Sequence, residues 1–147
     1  MSYQRSFVMV KPGIFRRKIV GEIISRMEKK RLDILAMKMI KISPKLAQHH
    51  YHEHVDKSFF KNLLSYICSG EVLVMVVGGE NAITQIRSLC GATKVEDAAA
   101  GSIRGDYAVS TTENVIHASD SPESAMREID LFFRKEEIFA YNMDISQ

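Results

Sequence analysis

The amino-acid sequence predicts an α/β fold of the α+β sandwich type: a ferredoxin-like, four-stranded antiparallel sheet with helices, in a split β-α-β arrangement. Three observations predict it. Short apolar runs that suit strands alternate with segments whose apolar residues recur at helical spacing. The resulting order, β-α-β-α-α-β-α-loop-β-α, gives four strands separated by helices, a pattern that covers one sheet mainly on one face. The 147 residues, 46% of them hydrophobic, are enough for one sizeable core and one domain spanning 1–147. The other face is then expected to need a helix, a loop or a second subunit.

Each element has a local reason. Phe7 to Val10 is an apolar run stopped by Lys11-Pro12-Gly13, which places Lys11 at a strand end. Ile19, Val20, Ile23, Ile24 and Met27 mark an amphipathic helix over about 19–31. Leu32 to Ile42 alternates well enough for a second strand. Ser43-Pro44 then opens a helix, with Ser as N-cap and Pro in the first turn, that carries Ala47, His50, Tyr51 and His54. A short helix from about Phe59 to Cys68 ends at Ser69-Gly70. Val72 to Val77 is continuously apolar and closed by Gly78-Gly79, as a buried central strand would be. Ala82, Ile83, Ile86 and Leu89 mark the next helix, closed by Gly91. Residues 92–108 form a long Ala- and Gly-rich connection of the kind that is usually functional. Thr112 to Ile116 suits the last strand, and Ser121 to Phe133 the last helix, with Ser121-Pro122 repeating the Ser-Pro start. The tail from Arg134 is expected to pack on the surface or on another subunit.

Composition excludes several classes. A net charge of +2 argues against a nucleic-acid partner. No apolar run is long enough to span a bilayer, so no membrane partner is expected. Cys68 and Cys90 lack metal-like spacing and read as reduced, buried thiols, which points to a cytoplasmic protein. His50 and His54 have the i, i+4 spacing that can bind zinc, but the run is not HExxH and no third ligand lies nearby in sequence.

The chemistry concentrates at Asn114-Val-Ile-His117-Ala-Ser119-Asp120-Ser121. One histidine sits among small and acidic residues, between an apolar run and an amphipathic helix. Neutral imidazole is the side chain best suited to attack an electrophile near pH 7 and then leave again.

Together with Phe7-Val-Met-Val-Lys-Pro12, Val20-Gly-Glu-Ile-Ile-Ser-Arg26, His50-Tyr51 with Glu53-His54, Ser69-Gly70, Arg87-Ser-Leu-Cys-Gly-Ala-Thr93, Ile103-Arg-Gly-Asp106, and Ala125 with Glu128-Ile129, that stretch resembles the nucleoside diphosphate kinase family. The resemblance runs from about Arg5 to Phe133. It implies transfer of the γ-phosphoryl of a nucleoside triphosphate, usually ATP, to a nucleoside diphosphate, by ping-pong through a phosphohistidine and with Mg²⁺. It implies a homo-oligomer, a tetramer or hexamer, whose other partners are nucleotides. His117 would be the nucleophile and Glu128 the group that fixes its second ring nitrogen, with Ser119 nearby. Lys11, Arg87, Arg104 and Thr93 would meet the phosphates. Tyr51 and His54 would line the phosphate site, Asn114 and Lys11 would hold the sugar hydroxyls, and Phe59 would stack on the base. Mg²⁺ would bridge phosphate oxygens, with help from Asp120 through water. The chain departs from the family pattern at Lys11-Pro12-Gly13-Ile14, where the usual aspartate is absent. It also departs at Thr111 and Thr112, near the base. A non-catalytic nucleotide-binding or interaction protein on the same fold is the alternative, since fold does not fix function.

Overall fold

A computed structural model describes residues 2–140. In chain order they form β1 (Tyr3–Val10), α1 (Ile14–Arg17), α2 (Val20–Lys29), β2 (Asp33–Ile40), α3 (Pro44–His50), α4 (Phe60–Ile67), β3 (Val72–Glu80), α5 (Ala82–Cys90), α6 (Ile103–Tyr107), β4 (Ile116–Ala118) and α7 (Pro122–Phe132). The sheet order is β2-β3-β1-β4 with every neighbouring pair antiparallel. β3 therefore lies between β1 and β2, and β1 between β3 and β4, which is the expected pair of split β-α-β units.

The expectation of a sheet covered mainly on one face is corrected. Val8, Val10, Leu73, Met75 and Val77 point to a core with Ile23, Met27, Ile86 and Ile103 from α2, α5 and α6. Phe7, Met9, Val72, Val74 and Val76 point the other way, to Ala47, Ile67, Ile129 and Phe132 from α3, α4 and α7. The central strands are apolar at successive positions because both faces are buried.

Other boundaries shift for physical reasons. Gly78 and Gly79 do not end β3 but lie within it. A Cβ on Gly78 would meet the Tyr3 ring, and one on Gly79 the Leu32 side chain, so the missing side chains make room for their neighbours. The long connection holds α6, capped by Ser102, whose hydroxyl accepts from Gly105 N–H. The helix after Ser43 stops at His50, and His52–His54 form a 3₁₀ turn, so Tyr51 and His54 are not on one regular helix. Without the usual aspartate, Gly13 (φ +88°) turns the chain into the brief α1, which has no side-chain cap. β2 bulges at Leu35, and its freed carbonyl accepts from Phe139 N–H at 2.9 Å. Lys38 also pairs with Glu137 at 2.9 Å, so the tail packs along β2 as far as it is described; residues 141–147 of the expected domain and tail lie outside the described residues.

The last strand moves furthest. It is Ile116–Ala118, not Thr112 to Ile116, so His117 lies within it. The cause is a turn at Val115, whose φ of +78° is rare for a β-branched residue. Lys11 N–H donates to the Val115 carbonyl at 2.9 Å, and Arg104 clamps the carbonyls on either side. Tertiary bonds thus hold a backbone conformation that local preference opposes.

Candidate active site

Strand alternation aims His117. Ile116 and Ala118 face the α5 side, so His117, paired with Met9, faces the α7 side. There its ring lies 6.0 Å from the Phe7 ring and 4.8 Å from the His50 ring, the latter edge-to-face. α7 buries Ala125, Glu128, Ile129 and Phe132, one stripe at helical spacing with a carboxylate in it. Glu128 is therefore no solvated surface acid: its side chain is 5% exposed against 26% for His117.

A hydrogen-bond chain fixes the tautomer. Phe7 N–H donates to Ser119 Oγ at 3.0 Å, and the Ser119 hydroxyl donates to Glu128 Oε1 at 2.7 Å. Glu128 Oε2 lies 2.9 Å from His117 Nε2. A carboxylate only accepts, so the ring proton is assigned to Nε2. Nδ1 then keeps its lone pair, and His117 borders a pocket of about 480 Å³.

That pocket is lined by Lys11, Tyr51, His54, Phe59, Asn62, Leu63, Thr93, Thr111, Thr112, Asn114 and His117. The volume suits a small-molecule ligand. The Lys11 ammonium donates to Asn114 Oδ1 at 2.7 Å, which ties the end of β1 to the turn before β4. Burial, then the nearby Arg104 cation, brings the Lys11 pKa down to about 8. Burial pushes the Tyr51 hydroxyl pKa up, keeping it a neutral donor. The rings of Tyr51, His54 and Phe59 run in a row, 6.2 Å and then 5.5 Å apart. Phe59 is 45% exposed, so it is no core residue, and Lys57 Nζ lies 5.7 Å from its ring.

The arginines separate. Arg104 is buried and spends its guanidinium on backbone: Nη1 to Gly91 O at 2.7 Å, Nη2 to Ile116 O at 2.7 Å, Nε to Asn114 O at 3.3 Å. It is not among the residues bordering the pocket, and these bonds make it the clamp of the loop that carries Asn114. Arg87 is exposed and donates to the Ala118 carbonyl at 3.3 Å, one residue from the histidine. Asp120 is exposed and off the pocket wall. The Ser124 hydroxyl, with Arg87 and Ser121 also nearby, draws its carboxyl below the usual range.

Asn62 and Leu63 escaped the sequence reading, since neither belongs to a motif. In the sequence His50 has a place on a helix, a spacing to His54 and a part in the family motif, but no role of its own. The structure places it against His117 instead, buried among Phe7, Tyr51 and Phe132. Burial, with His117 beside it, brings its pKa down to about 2, so the ring is neutral. Cys90 is buried, with its thiol raised to about 11 by burial, whereas Cys68 is only partly buried; both are free. Among the described residues no helix is long and apolar enough to cross a membrane.

The arrangement can therefore present an unprotonated imidazole nitrogen to an anionic ligand gripped by cations and hydroxyls. Comparison with known proteins agrees in kind. The family model for nucleoside diphosphate kinase matches residues 4–138. The chain is 53% identical over 138 residues to the nucleoside diphosphate kinase of Sulfurisphaera tokodaii, covering 94% of each chain. It is 54% identical over 138 residues to that of Metallosphaera sedula, covering 94% of this chain and 99% of the relative. Among solved structures it resembles a halophilic nucleoside diphosphate kinase from Halobacterium salinarum in complex with CDP, with a TM-score of 0.93 and 44% identity, covering 99% of this chain and 97% of that one.

Proposed function

This chain belongs to the nucleoside diphosphate kinase family and is a phosphotransferase acting on nucleotides; from that premise we propose that it works by ping-pong through a phosphohistidine at His117. The observation that carries the proposal is the hydrogen bond from His117 Nε2 to buried Glu128, which leaves Nδ1 as the free lone pair.

In the first half-reaction Nδ1 attacks the γ-phosphorus of a nucleoside triphosphate, usually ATP. The N–P bond forms, the bond to the bridging oxygen breaks, and the diphosphate leaves with that electron pair. The ring keeps its Nε2 proton and gains positive charge, which the Glu128 carboxylate stabilises and Ser119 holds in place. In the second half a β-phosphate oxygen of the acceptor diphosphate attacks the same phosphorus, and the N–P electrons return to Nδ1. No proton need leave the site in either half.

Phosphoryl transfer asks a protein mainly for position and charge. Lys11, with Arg87 and Thr93, is proposed to meet the phosphates, while Tyr51 and His54 border them. Lys11 and Asn114 are proposed to hold the sugar hydroxyls. Phe59, exposed at the pocket edge, is proposed to stack on the base, and stacking accepts any base. Arg104 is assigned here to hold the loop that presents Asn114. The residues lining the pocket include no carboxylate. A hard cation there would take its ligands mainly from the nucleotide, which fits Mg²⁺, with Asp120 contributing through water. Bound Mg²⁺ would supply neutralisation of phosphate charge.

We also propose one domain in the cytoplasm, consistent with two free cysteines, and a homo-oligomer, tetramer or hexamer. Met37 and Met39, exposed on the edge strand β2, support the assembly. The test of the central proposal is a two-step transfer. Protein is incubated with γ-labelled ATP and Mg²⁺, stripped of nucleotide, then given GDP. Acid-labile label that forms on wild type, moves to GDP and is absent from His117→Ala supports the reading. A protein that binds nucleotide and takes no label overturns it.

A further inference from the structure

Beside the nucleophile and its carboxylate lies a buried histidine, His50, that phosphoryl transfer does not use. One donor atom from each of His50, His117 and Glu128 lies within 4.8 Å of the other two, and this is the three-ligand cluster found among the described residues. Neither ring nitrogen of His50 has a hydrogen-bond partner, although the residue is only 5% exposed. Buried polar atoms are ordinarily paired, so two orphaned nitrogens on one ring ask for a ligand.

We infer that His50, His117 and Glu128 form a site for a borderline-soft divalent cation of the zinc class, whose binding silences the nucleophile. Two imidazoles and one carboxylate are a set suited to Zn²⁺, Co²⁺ or Ni²⁺, whereas Mg²⁺ prefers oxygen ligands. Ligand atoms at about 2.0–2.1 Å in a tetrahedron lie roughly 3.3 Å apart, so the rings need close by less than about 1.5 Å. His117 opens to the pocket, which provides the way in and a water as fourth ligand. Phe7 and Phe132 wall the other side. The facing cations are Arg127, 3.8 Å from Glu128, and Lys11; their repulsion makes this a site of moderate affinity, loaded and emptied rather than permanent.

The silencing follows from proton placement. A metal on Nε2 displaces the proton to Nδ1, which removes the attacking lone pair; a metal on Nδ1 blocks it directly. The reverse also holds. A ring with phosphorus on Nδ1 and its proton on Nε2 offers no lone pair to a metal. This consequence rests on His117 being the phosphoryl carrier, but the metal site itself does not.

The experiment uses the full metal-free chain with Co²⁺ as probe, then Zn²⁺ as competitor. The expected result is one Co²⁺ per chain with tetrahedral visible absorption, displaced by Zn²⁺ and not by Mg²⁺. His50→Gln should weaken binding by more than about tenfold. Surface histidines His49 and His52 lie outside the cluster, so H49A/H52A should leave binding unchanged. Wild type phosphorylated beforehand should show no Co²⁺ absorption, an arm that needs no variant to fold. No tetrahedral spectrum, binding that survives His50→Gln, or binding lost in H49A/H52A would overturn the site. Failure of wild type to take label from ATP would instead overturn the phosphohistidine reading, while the Co²⁺ spectrum still judges the metal site.

Discussion

Glu128→Gln is the perturbation that most sharply probes how the histidine is held. The change keeps the side chain's shape and removes its charge. In wild type the carboxylate accepts from His117 at 2.9 Å and from Ser119 at 2.7 Å, and its side chain is 5% exposed. A charged hydrogen bond contributes about 1.5–3 kcal/mol against about 0.5–1.5 for a neutral one. The difference acts on the step in which the ring gains positive charge. It predicts a loss of roughly 1–2 kcal/mol of transition-state stabilisation, or about 5- to 30-fold in the rate of phosphohistidine formation. That is the milder case, with the amide oxygen turned to Nε2. Ser119 Oγ already accepts from Phe7 N–H and has a second lone pair for the amide NH₂. Should the NH₂ turn to His117 instead, the ring proton moves to Nδ1 and the loss approaches about 10⁴. The assay is rapid-mix labelling from γ-labelled ATP, with nucleotide Kd measured in parallel. Glu128 is not among the residues bordering the pocket, so Kd should stay within about twofold of wild type. A labelling rate within about twofold of wild type, or a loss confined to Kd, would refute the argument.

Three further outcomes are expected. Arg104→Lys cannot reach Gly91, Asn114 and Ile116 carbonyls together; stranding at least one should cost about 2–4 kcal/mol and lower Tm by roughly 5–15 °C by calorimetry, and an unchanged Tm would count against the clamp. Phe59→Ala should raise KM for every nucleoside diphosphate by about 5- to 100-fold, with kcat at saturation and Tm nearly unchanged, and a loss restricted to one base would contradict stacking. Lys11 should give opposite pH trends in stability and affinity. Its folded pKa of about 8 lies below the ordinary lysine value of 10.5, so the unfolded chain binds more protons between them and this group's contribution to stability rises with pH across that window, by up to about 3 kcal/mol. Nucleotide affinity should fall over the same range as the cation is lost, which isothermal titration at stepped pH would measure.

The sequence was most legible where burial has a period. The apolar runs at Phe7 and Val72 became the two central strands, and the alternating order of elements gave the sheet topology. The same runs also carry the answer on coverage, because a strand that is apolar at successive positions has two covered faces, whereas the order of helices along the chain does not say which face each one takes. Val115 was illegible for a different reason. Val-Ile suits a strand by every local preference, and only bonds from Lys11 and Arg104, distant in sequence, force the positive φ that starts β4 late. Glu128 could be read from its place on the stripe of Ala125, Ile129 and Phe132. The clamp by Arg104 could not, since no local feature says that a guanidinium will be held by three carbonyls. His50 shares the buried face of α3 with Ala47, and that spacing was a signal for its burial, though not for its contact with His117.

The proposed mechanism turns on one atom, Nδ1 of His117. The direct measurement is phosphorus and nitrogen NMR of the phosphorylated, nucleotide-free protein with ¹⁵N-labelled histidine, to find which ring nitrogen carries the phosphorus. Phosphorus on Nδ1 of His117, with a proton retained on Nε2, is the result predicted. Phosphorus on Nε2, or on any other residue, would contradict the role given to Glu128 and with it the mechanism.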